Sequence, residues 1–244
     1  MDSTLVWTFA ERCAEAASVE EIRALFLREV EALGFAYVAC ASHVDPLRPP
    51  PDAVTMLHYP QAWVKYFSTE NLALRDPVFM TAKRQLLPFG WSDRAFRKAL
   101  APDQLKILAE AAEAGLADGF TIPLHSPGAL PASCSLVFGP DGVDPLDVRN
   151  AHWCAVYAHE AARRVLRAQQ ALRRTPLSER EREALEYVAR GKDDYSIGVL
   201  MRIQESTAHN TVQRAMKKLG VATRVQAVIL AMADGEIFLH DVAH

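Results

Sequence analysis

The most regular alternation of apolar and polar positions lies in the last third of the chain. Apolar residues recur there at intervals of three and four, which is the spacing of amphipathic helices. A first helix is predicted over residues 178–190, because Ser178 and Glu181 have the spacing of a capping box. Gly191 then suits the left-handed position just past a helix end.

Three more helices are predicted after this one. Asp193 or Asp194 can cap a second helix, a short turn follows at 202–205, and two further helices cover 206–219 and 224–234. The segment therefore has the organisation of a compact four-helix domain. The core residues predicted for the second and third helices of this domain are Ile197, Leu200, Met201, Ala208, Thr211, Val212, Ala215, Met216 and Leu219.

The outward face of the third helix carries hydrogen-bonding and cationic side chains. A packed helix and a tight turn precede this face, as in a helix-turn-helix whose second helix enters the major groove of DNA. The candidate DNA contacts on it are Thr207, His209, Asn210, Gln213, Arg214 and Lys217.

Residues 176–237 resemble the LuxR-type four-helix DNA-binding domain. The Glu, Leu and Gly landmarks of that family fall on Glu181, Leu185 and Gly191. The resemblance implies a transcription regulator that binds double-stranded promoter DNA and is not an enzyme.

Three positions of the third helix depart from the family pattern. Ala208 stands where the family usually has Val, Thr211 where it has His, and Arg214 where it frequently has Asn. These differences concern which bases are read rather than the kind of module. A four-helix interaction domain that binds no nucleic acid is the alternative that the residues alone leave open.

The net charge of the chain is -3, although proteins gain much of their affinity for duplex DNA by neutralising phosphates. The balance of charge differs within the third helix, which carries three cations, Arg214, Lys217 and Lys218, and one acid, Glu205. One small module with so few cations binds weakly. We therefore expect a homodimer that reads two half-sites about 34 Å apart in a two-fold symmetric promoter site.

The composition indicates a cytoplasmic protein of two domains. The chain has 244 residues, of which 50% are hydrophobic, and this suffices for two cores. No run of about 18 uncharged apolar residues predicts a membrane span, and the N-terminus lacks the basic start of a signal peptide. The four cysteines are scattered, which predicts reduced thiols rather than a disulfide or a metal site. We expect no cofactor.

The domain boundary is predicted where apolar periodicity is lost, ahead of the helix-breaking Pro176. This gives an N-terminal domain at 1–167, a linker at 168–176 and the helical domain at 177–244. The irregular order of elements in the N-terminal domain predicts an α+β fold, an α-β-α sandwich with a mostly antiparallel central sheet. Its predicted helices are 18–33, 61–67, 93–100, 102–114 and 145–167, and its predicted strands are 35–41, 54–59, 119–124 and 134–138.

Aromatic and polar residues cluster in the N-terminal domain at positions where apolar residues are the default. The pattern resembles the acyl-homoserine-lactone-binding, or autoinducer-binding, domain of the same LuxR-type family. There Trp, Asp, Pro and a second Trp recur at these separations before a Gly-x-Thr-x-Pro motif. The resemblance covers nearly the whole chain and implies a quorum-sensing regulator. The residues that carry it are Tyr59, Trp63, Phe67, Asp76, Pro77, Trp91 and the motif at 119–123.

The resemblance also implies roles for these side chains. An acyl-homoserine lactone has two carbonyl groups and one amide N–H at its head, and each needs a partner when buried. Trp63, which can only donate, is expected on the lactone carbonyl, and ionised Asp76, which can only accept, on the amide N–H. Tyr59 and Ser135 are expected on the amide carbonyl, and Trp91 as a flat wall against the lactone ring.

Other positions are expected to border the acyl tail, with a plain core role as the alternative. Small residues at two of them leave space for a bulky, branched or aromatic acyl group, unless neighbouring side chains fill it. Phe67 stands where many relatives have Tyr, which removes one hydroxyl from the pocket. The positions expected along the tail are Ala39, Ala41, Phe79, Ile122 and Ser133.

The sequence therefore predicts a regulator that encloses a lactone in its N-terminal domain, dimerises and binds promoter DNA. A lactone hydrolase is the rival from another class, with His43, His58 and His125 as candidates, but they lack metal-ligand spacing and no Gly-x-Ser-x-Gly is present. A response regulator is disfavoured, because the early acidic pair and the parallel strand pattern are missing. A regulator of this family that responds to a different small molecule, or to none, stays open.

Overall fold

A computed structural model of the protein describes residues 3–45, 47–126, 130–173 and 176–238. These residues form two compact units that divide after Ala168. Each unit has a hydrophobic core of its own. No helix in these parts of the chain is long and apolar enough to cross a membrane.

The N-terminal unit is built around a sheet that, in the described residues, has five strands, all paired antiparallel. The strands are β1 Phe35–Ser42, β2 Thr55–His58, β3 Phe89–Gly90, β4 Gly119–Pro123 and β5 Ala132–Phe138, in the order β2-β1-β5-β4-β3. The helices are α1 Ser3–Glu15, α2 Val19–Ala32, α3 Gln61–Thr69, α4 Pro77–Ala82, α5 Arg94–Lys98, α6 Pro102–Glu113 and α7 Pro145–Arg173, with a 3-10 turn at Leu72–Leu74.

The alternation of side chains along the strands gives the sheet two different faces. On β5, Cys134 and Leu136 lie on one face, whereas Ser133 and Ser135 lie on the other. The first face packs against α1, α2 and α7 and forms the larger core. The second face is covered by α3 to α6. The predicted α-β-α sandwich is confirmed, and its sheet is wholly antiparallel in the described residues.

The helix that leads out of this unit is longer than predicted. α7 continues to Arg173, so helical backbone covers much of the segment 168–176 that the loss of apolar periodicity assigned to a linker. Gln, Ala, Leu and Arg are all good helix formers, and intrinsic propensity can continue a helix where no apolar stripe does. The elements that the sequence pattern missed include β3, α1 and α4; β3 has only two residues and carries no readable alternation.

The C-terminal unit contains the four predicted helices, α8 Glu179–Ala189, α9 Asp194–Met201, α10 Glu205–Leu219 and α11 Arg224–Ala233. The capping box is present, since Ser178 accepts from the amide of Glu181 and donates its own amide to the Glu181 carboxylate. Gly191 follows α8 with a φ of +74°. Asp193, and not Asp194, caps α9 by accepting from the amide of Ser196 at 2.8 Å.

α9 and α10 approach each other closely at Gly198. A Cβ at this position would lie 2.9 Å from the carbonyl oxygen of Ile203 and 3.2 Å from the amide nitrogen of Glu205. Arg202 ends α9 in the left-handed conformation, with a φ of 57°. The absent side chain and the abrupt helix end together allow the tight turn of a helix-turn-helix.

Leu200 does not join the core, contrary to the sequence pattern, and is 47% exposed. α9 has only eight residues, and Ile197 and Met201, one turn apart, occupy its inward stripe. Leu200 precedes Met201 by one position and therefore points about 100° away from that stripe.

Lys218 is directed inward rather than towards the outward face of α10. Its Nζ lies 2.7 Å from the buried carboxylate of Glu181 and 3.0 Å from the carbonyl oxygen of Pro176. Burial alone would raise the pKa of Glu181, but the hydrogen bonds from Lys218 and Ser178 hold that pKa below its usual value. This cation therefore stabilises the C-terminal unit and is not available to a ligand of α10.

Replacing Lys218 by Met should destabilise the C-terminal unit by about 2 kcal/mol, because Glu181 would become a buried carboxylate without its cation. The neighbouring Lys217 is exposed, so Lys217→Met is a matched control that should change the stability by less than about 0.5 kcal/mol. Hydrogen exchange of the α10 amides in the full-length protein measures both effects. Equal protection in the two variants would show that the pair contributes nothing.

Candidate functional site

A cavity lies between the second face of the sheet and the helices that cover it. Its free volume is about 100 Å³, several times the roughly 10–15 Å³ that one water molecule needs. The cavity can therefore hold an organic molecule. Most of its wall is apolar, with polar side chains at a few places.

All but one of the predicted ligand contacts line this cavity. The exception is Ile122. The residues brought together are Tyr59, Trp63, Phe67, Asp76, Trp91, Ser135, Ala39, Ala41, Phe79 and Ser133. The lining residues that the sequence did not reveal are Ser42, Val44, Leu57, Val64, Val78, Leu108, Ala111 and Leu116.

Ile122 lies on the opposite face of the sheet, in the larger core, and is 1% exposed. Its Cα partner on β5 is Cys134, whereas the cavity-facing Ser135 pairs with Thr121. Neighbours across a strand pair share a face, so Ser135 on the cavity side places Thr121 there and Ile122 away from it. The alternation along β4 places Thr121 and Ile122 on different faces, and the pairing with β5 decides which of them faces the cavity.

Asp76 is the buried acid of the cavity. It is the N-cap of α4, where its Oδ1 accepts a hydrogen bond of 2.8 Å from the amide of Phe79. Pro77 follows at the first helical position, where its missing N–H costs nothing. Burial raises the pKa of Asp76 to about 6, although backbone hydrogen bonds from Phe79 and Val78 oppose the rise.

Three side chains on one wall form a chain of hydrogen bonds. The indole N–H of Trp91 donates to the hydroxyl of Thr121 at 2.9 Å, and this hydroxyl lies 2.9 Å from that of Ser135. The donor of Trp91 is therefore occupied, which leaves its ring as a flat surface. Tyr59 lies at the same wall, and burial raises the pKa of its hydroxyl well above the usual range, so it remains a protonated donor.

Trp63 provides the complementary group to Asp76. Its side chain lines the cavity, and no described residue accepts a hydrogen bond from its indole N–H. Its ring packs at 5.7 Å from that of Tyr66, which fixes it from the outer side. The cavity thus presents an unused donor and a buried acceptor.

The three histidines considered for catalysis do not form one site. His43 is bonded to the hydroxyl of Ser133 at 2.8 Å, and His125 to the carbonyl oxygen of Ala82 at 2.8 Å. His58 lies exposed at the end of β2.

The second candidate site is a shallow groove on the outward face of α10. The residues that line it, which we call the recognition face, are Thr207, Asn210, Gln213, Arg214 and Lys217. Five of the six predicted DNA contacts therefore lie together. His209 does not line this groove but an adjacent one, which it shares with Asn210, and its Nδ1 lies 2.8 Å from the carboxylate of Asp194.

Two residues that depart from the family pattern act together on α10. The hydroxyl of Thr211 donates to the carbonyl oxygen of Thr207 at 2.8 Å and accepts from the guanidinium of Arg214 at 3.2 Å. Thr211 thereby orients the cation that stands where the family frequently has Asn.

Comparison with known proteins assigns both parts of the chain to one family. Residues 18–162 match the family model described as the autoinducer binding domain, and residues 175–231 match that of the bacterial regulatory proteins of the luxR family. The chain therefore belongs to the LuxR-type family of quorum-sensing transcription regulators, and it is not an enzyme. The family membership predicted from the sequence is confirmed.

Individual relatives and solved structures are consistent with this. The quorum sensing-dependent transcriptional regulator RpaR of Rhodopseudomonas palustris is 32% identical over 181 residues, or 74% of each chain. The transcriptional activator BjaR1 of Bradyrhizobium diazoefficiens is 28% identical over 174 residues, covering 71% of this chain and 72% of the relative. The structure of Escherichia coli SdiA has a TM-score of 0.74 at 24% identity, covers 95% of this chain and 97% of its own, and shows the shared fold.

Asp76 should make the empty protein less stable as the pH rises. The pKa of Asp76 is about 6 in the folded protein, compared with the ordinary value of 3.8. The protein is therefore most stable below pH 4, where this side chain is protonated, and it loses stability as the pH rises through 6. Asn keeps the helix cap without the charge, so Asp76→Asn should be more stable than the wild type by roughly 3 kcal/mol at pH 7.5 and nearly equal to it at pH 4.

Urea unfolding followed by tryptophan fluorescence measures this difference, since all four tryptophans lie in the N-terminal unit. The exposed Asp103 of α6 provides the control, and Asp103→Asn should follow the wild-type profile. A constant difference between wild type and Asp76→Asn at every pH would contradict the assignment of a raised pKa to Asp76.

Proposed function

We propose that the autoinducer of this regulator is an N-acyl-homoserine lactone bound in the cavity of the N-terminal unit. The observation that carries the proposal is the pairing of an unused donor, Trp63, with a buried acceptor, Asp76, in one apolar cavity. The lactone head offers a carbonyl group to the first and an amide N–H to the second. The two roles cannot be exchanged, which fixes the orientation of the head.

The remaining polar groups support the same orientation. The hydroxyls of Tyr59 and Ser135 meet the amide carbonyl, and the ring of Trp91 lies against the lactone. Ala39 and Ala41 leave room for the acyl tail beside the sheet. Phe67 and Phe79 contact each other with ring centroids 5.2 Å apart and border the tail.

We infer that the ligand acts as part of the core. It fills a cavity that the side chains leave open and supplies a donor to the acid at its wall. At a hundredfold excess over the dissociation constant, ligand binding stabilises the folded protein by about 2.7 kcal/mol. This is a large share of the stability of an ordinary domain.

The same proposal covers the DNA-binding half. Residues 1–167 sense the lactone in the cytoplasm, and residues 177–244 bind promoter DNA through the recognition face. Two copies of the chain form a homodimer on a two-fold symmetric site, because one module with two cations on its recognition face, Arg214 and Lys217, binds duplex DNA weakly. His209 contributes through its contact with Asp194 rather than as a member of the recognition face.

Lactone binding should weaken in acid. The ligand amide donates to the ionised carboxylate of Asp76, so the lactone binds the deprotonated protein and the affinity at pH 5 should be about tenfold lower than at pH 7.5. Calorimetric titration with a panel of N-acyl-homoserine lactones measures this. Asp76→Asn should bind the lactone weakly at both pH values, and Asp103→Asn should keep the wild-type dependence of affinity on pH.

Two results would refute the ligand class. One is a binding curve of Asp76→Asn that matches the wild type at pH 7.5. The other is the absence of binding by every lactone while an acylated molecule without the lactone ring, such as octanoyl glycerol, binds to the cavity.

Arg214→Ala and Lys217→Ala should each lower the slope of log affinity against log salt by about 1, because each removes one phosphate contact. Fluorescence anisotropy with a non-specific duplex, in the presence of ligand, measures the slope. Arg180 of α8 is 65% exposed and pairs with Glu183 away from the recognition face, so Arg180→Ala serves as the control. If Arg214→Ala and Lys217→Ala had the same slope as Arg180→Ala, both cations would be excluded from the interface.

A further inference from the structure

One polar group in the cavity has no role in binding the lactone head. Ser133 lines the cavity beside apolar residues and is 4% exposed. Among the described residues, its hydroxyl has a single hydrogen-bond partner, His43, at 2.8 Å. A hydroxyl at the apolar end of a ligand site is unexpected, because burying a polar group costs free energy unless its hydrogen bonds are made.

The position of Ser133 relative to the head site follows from the strand. Ser133 precedes Ser135 by two residues on β5, on the same face, so the two side chains are roughly 6.6 Å apart along the strand. Their cross-strand partners on β1 are Ala41 and Ala39. No large side chain of β1 therefore separates the two hydroxyls, and an acyl tail can pass from one to the other.

The geometry of His43 decides which way the Ser133 hydroxyl points. The imidazole stacks on the ring of Phe79 with centroids 4.4 Å apart, which fixes its plane. Its Nδ1 is buried without a partner among the described residues, while its Nε2 faces Ser133. Burial and the charge of Lys83 lower the pKa of His43 to about 3, so the ring carries one proton.

That proton is assigned to Nε2. A buried acceptor without a partner is tolerated better than a buried N–H without one, so the bare nitrogen is Nδ1. Nε2–H then donates to the oxygen of Ser133. The hydroxyl hydrogen of Ser133 is left free and can only be donated into the cavity.

We propose that the acyl group of the native autoinducer carries an oxygen atom about six bonds beyond its amide carbonyl, and that this oxygen accepts a hydrogen bond from Ser133. The distance follows from the strand, since two residues span six backbone bonds and an extended acyl chain of equal length covers the same path. The ligand class is a lactone with a hydroxylated chain or ring. The inference rests on the proposed function, because Trp63 and Asp76 must hold the head for Ser133 to meet the tail.

The test compares ligands that differ only in this oxygen. One pair is a hydroxyhexanoyl-homoserine lactone, with the hydroxyl on the last carbon, and the heptanoyl lactone, in which a methyl group replaces it. A second pair carries a para-hydroxyphenylacetyl or a para-methylphenylacetyl group. Calorimetric titration of the full-length protein gives the ratio of the two dissociation constants within each pair.

The wild type should prefer the hydroxylated member of at least one pair by about 3- to 10-fold, the range expected for one hydrogen bond. Ser133→Ala should bring that ratio to about one. His43→Phe keeps the stacking on Phe79 and removes Nε2, so it should also reduce the ratio. Ser135→Ala, on the same strand and face, should weaken both members of a pair and keep the ratio.

The outcomes separate the two proposals. If the lactones bind and Asp76→Asn abolishes binding, but the hydroxyl confers no preference in either pair, the inference about Ser133 is wrong and the proposed function stands. A preference that survives in Ser133→Ala and in His43→Phe also overturns the inference. If no lactone binds, the proposed function fails and this inference fails with it.

Discussion

A buried carboxylate in an otherwise apolar cavity is the constraint on which the N-terminal unit depends. Asp76 caps α4 through the amide of Phe79, and burial raises its pKa to about 6. At neutral pH the empty protein therefore holds a charge that its surroundings solvate incompletely. A donor brought in by a ligand relieves this cost, whereas an apolar molecule of the same shape does not. Asp76 thus couples the chemistry of the ligand to the stability of the fold. The same side chain is also the cap of α4.

The sheet makes this possible by keeping two different faces apart. One face packs against α1, α2 and α7 as an ordinary core, in which residues such as Leu136 are fully buried. On the cavity face, hydroxyl-bearing residues replace the apolar ones that such a position normally holds. Thr121 is bonded both to Ser135 and to Trp91, so these side chains fix the wall. Ser133 is bonded to a histidine. The first face stabilises the fold, and the second selects a ligand.

The sequence predicted most of the long elements, although not α1, and ten of the eighteen described residues that line the cavity, because spacing along strands and helices decides which side chains share a face. It was wrong where the choice depended on a partner distant in the chain. Ile122 and Thr121 are neighbours, and only the pairing of β4 with β5 shows which one faces the cavity. Lys218 has the spacing of a surface cation, but Glu181 lies 2.7 Å away in the fold. The end of α7 at Arg173 was missed because propensity, and not apolar contact, continues that helix.

The ion pairs of the C-terminal unit limit the number of cations that one copy presents on its recognition face. Lys218 neutralises Glu181, and Arg224 neutralises Asp194, so these two cations stabilise the helical unit. Arg214 and Lys217 remain on the recognition face. Because phosphate neutralisation dominates affinity for duplex DNA, two cations on each recognition face leave binding sensitive to whether a second module is held nearby. In the proposed dimer, a ligand that stabilises the N-terminal unit controls how many modules act together, and so controls affinity for the promoter without touching the DNA.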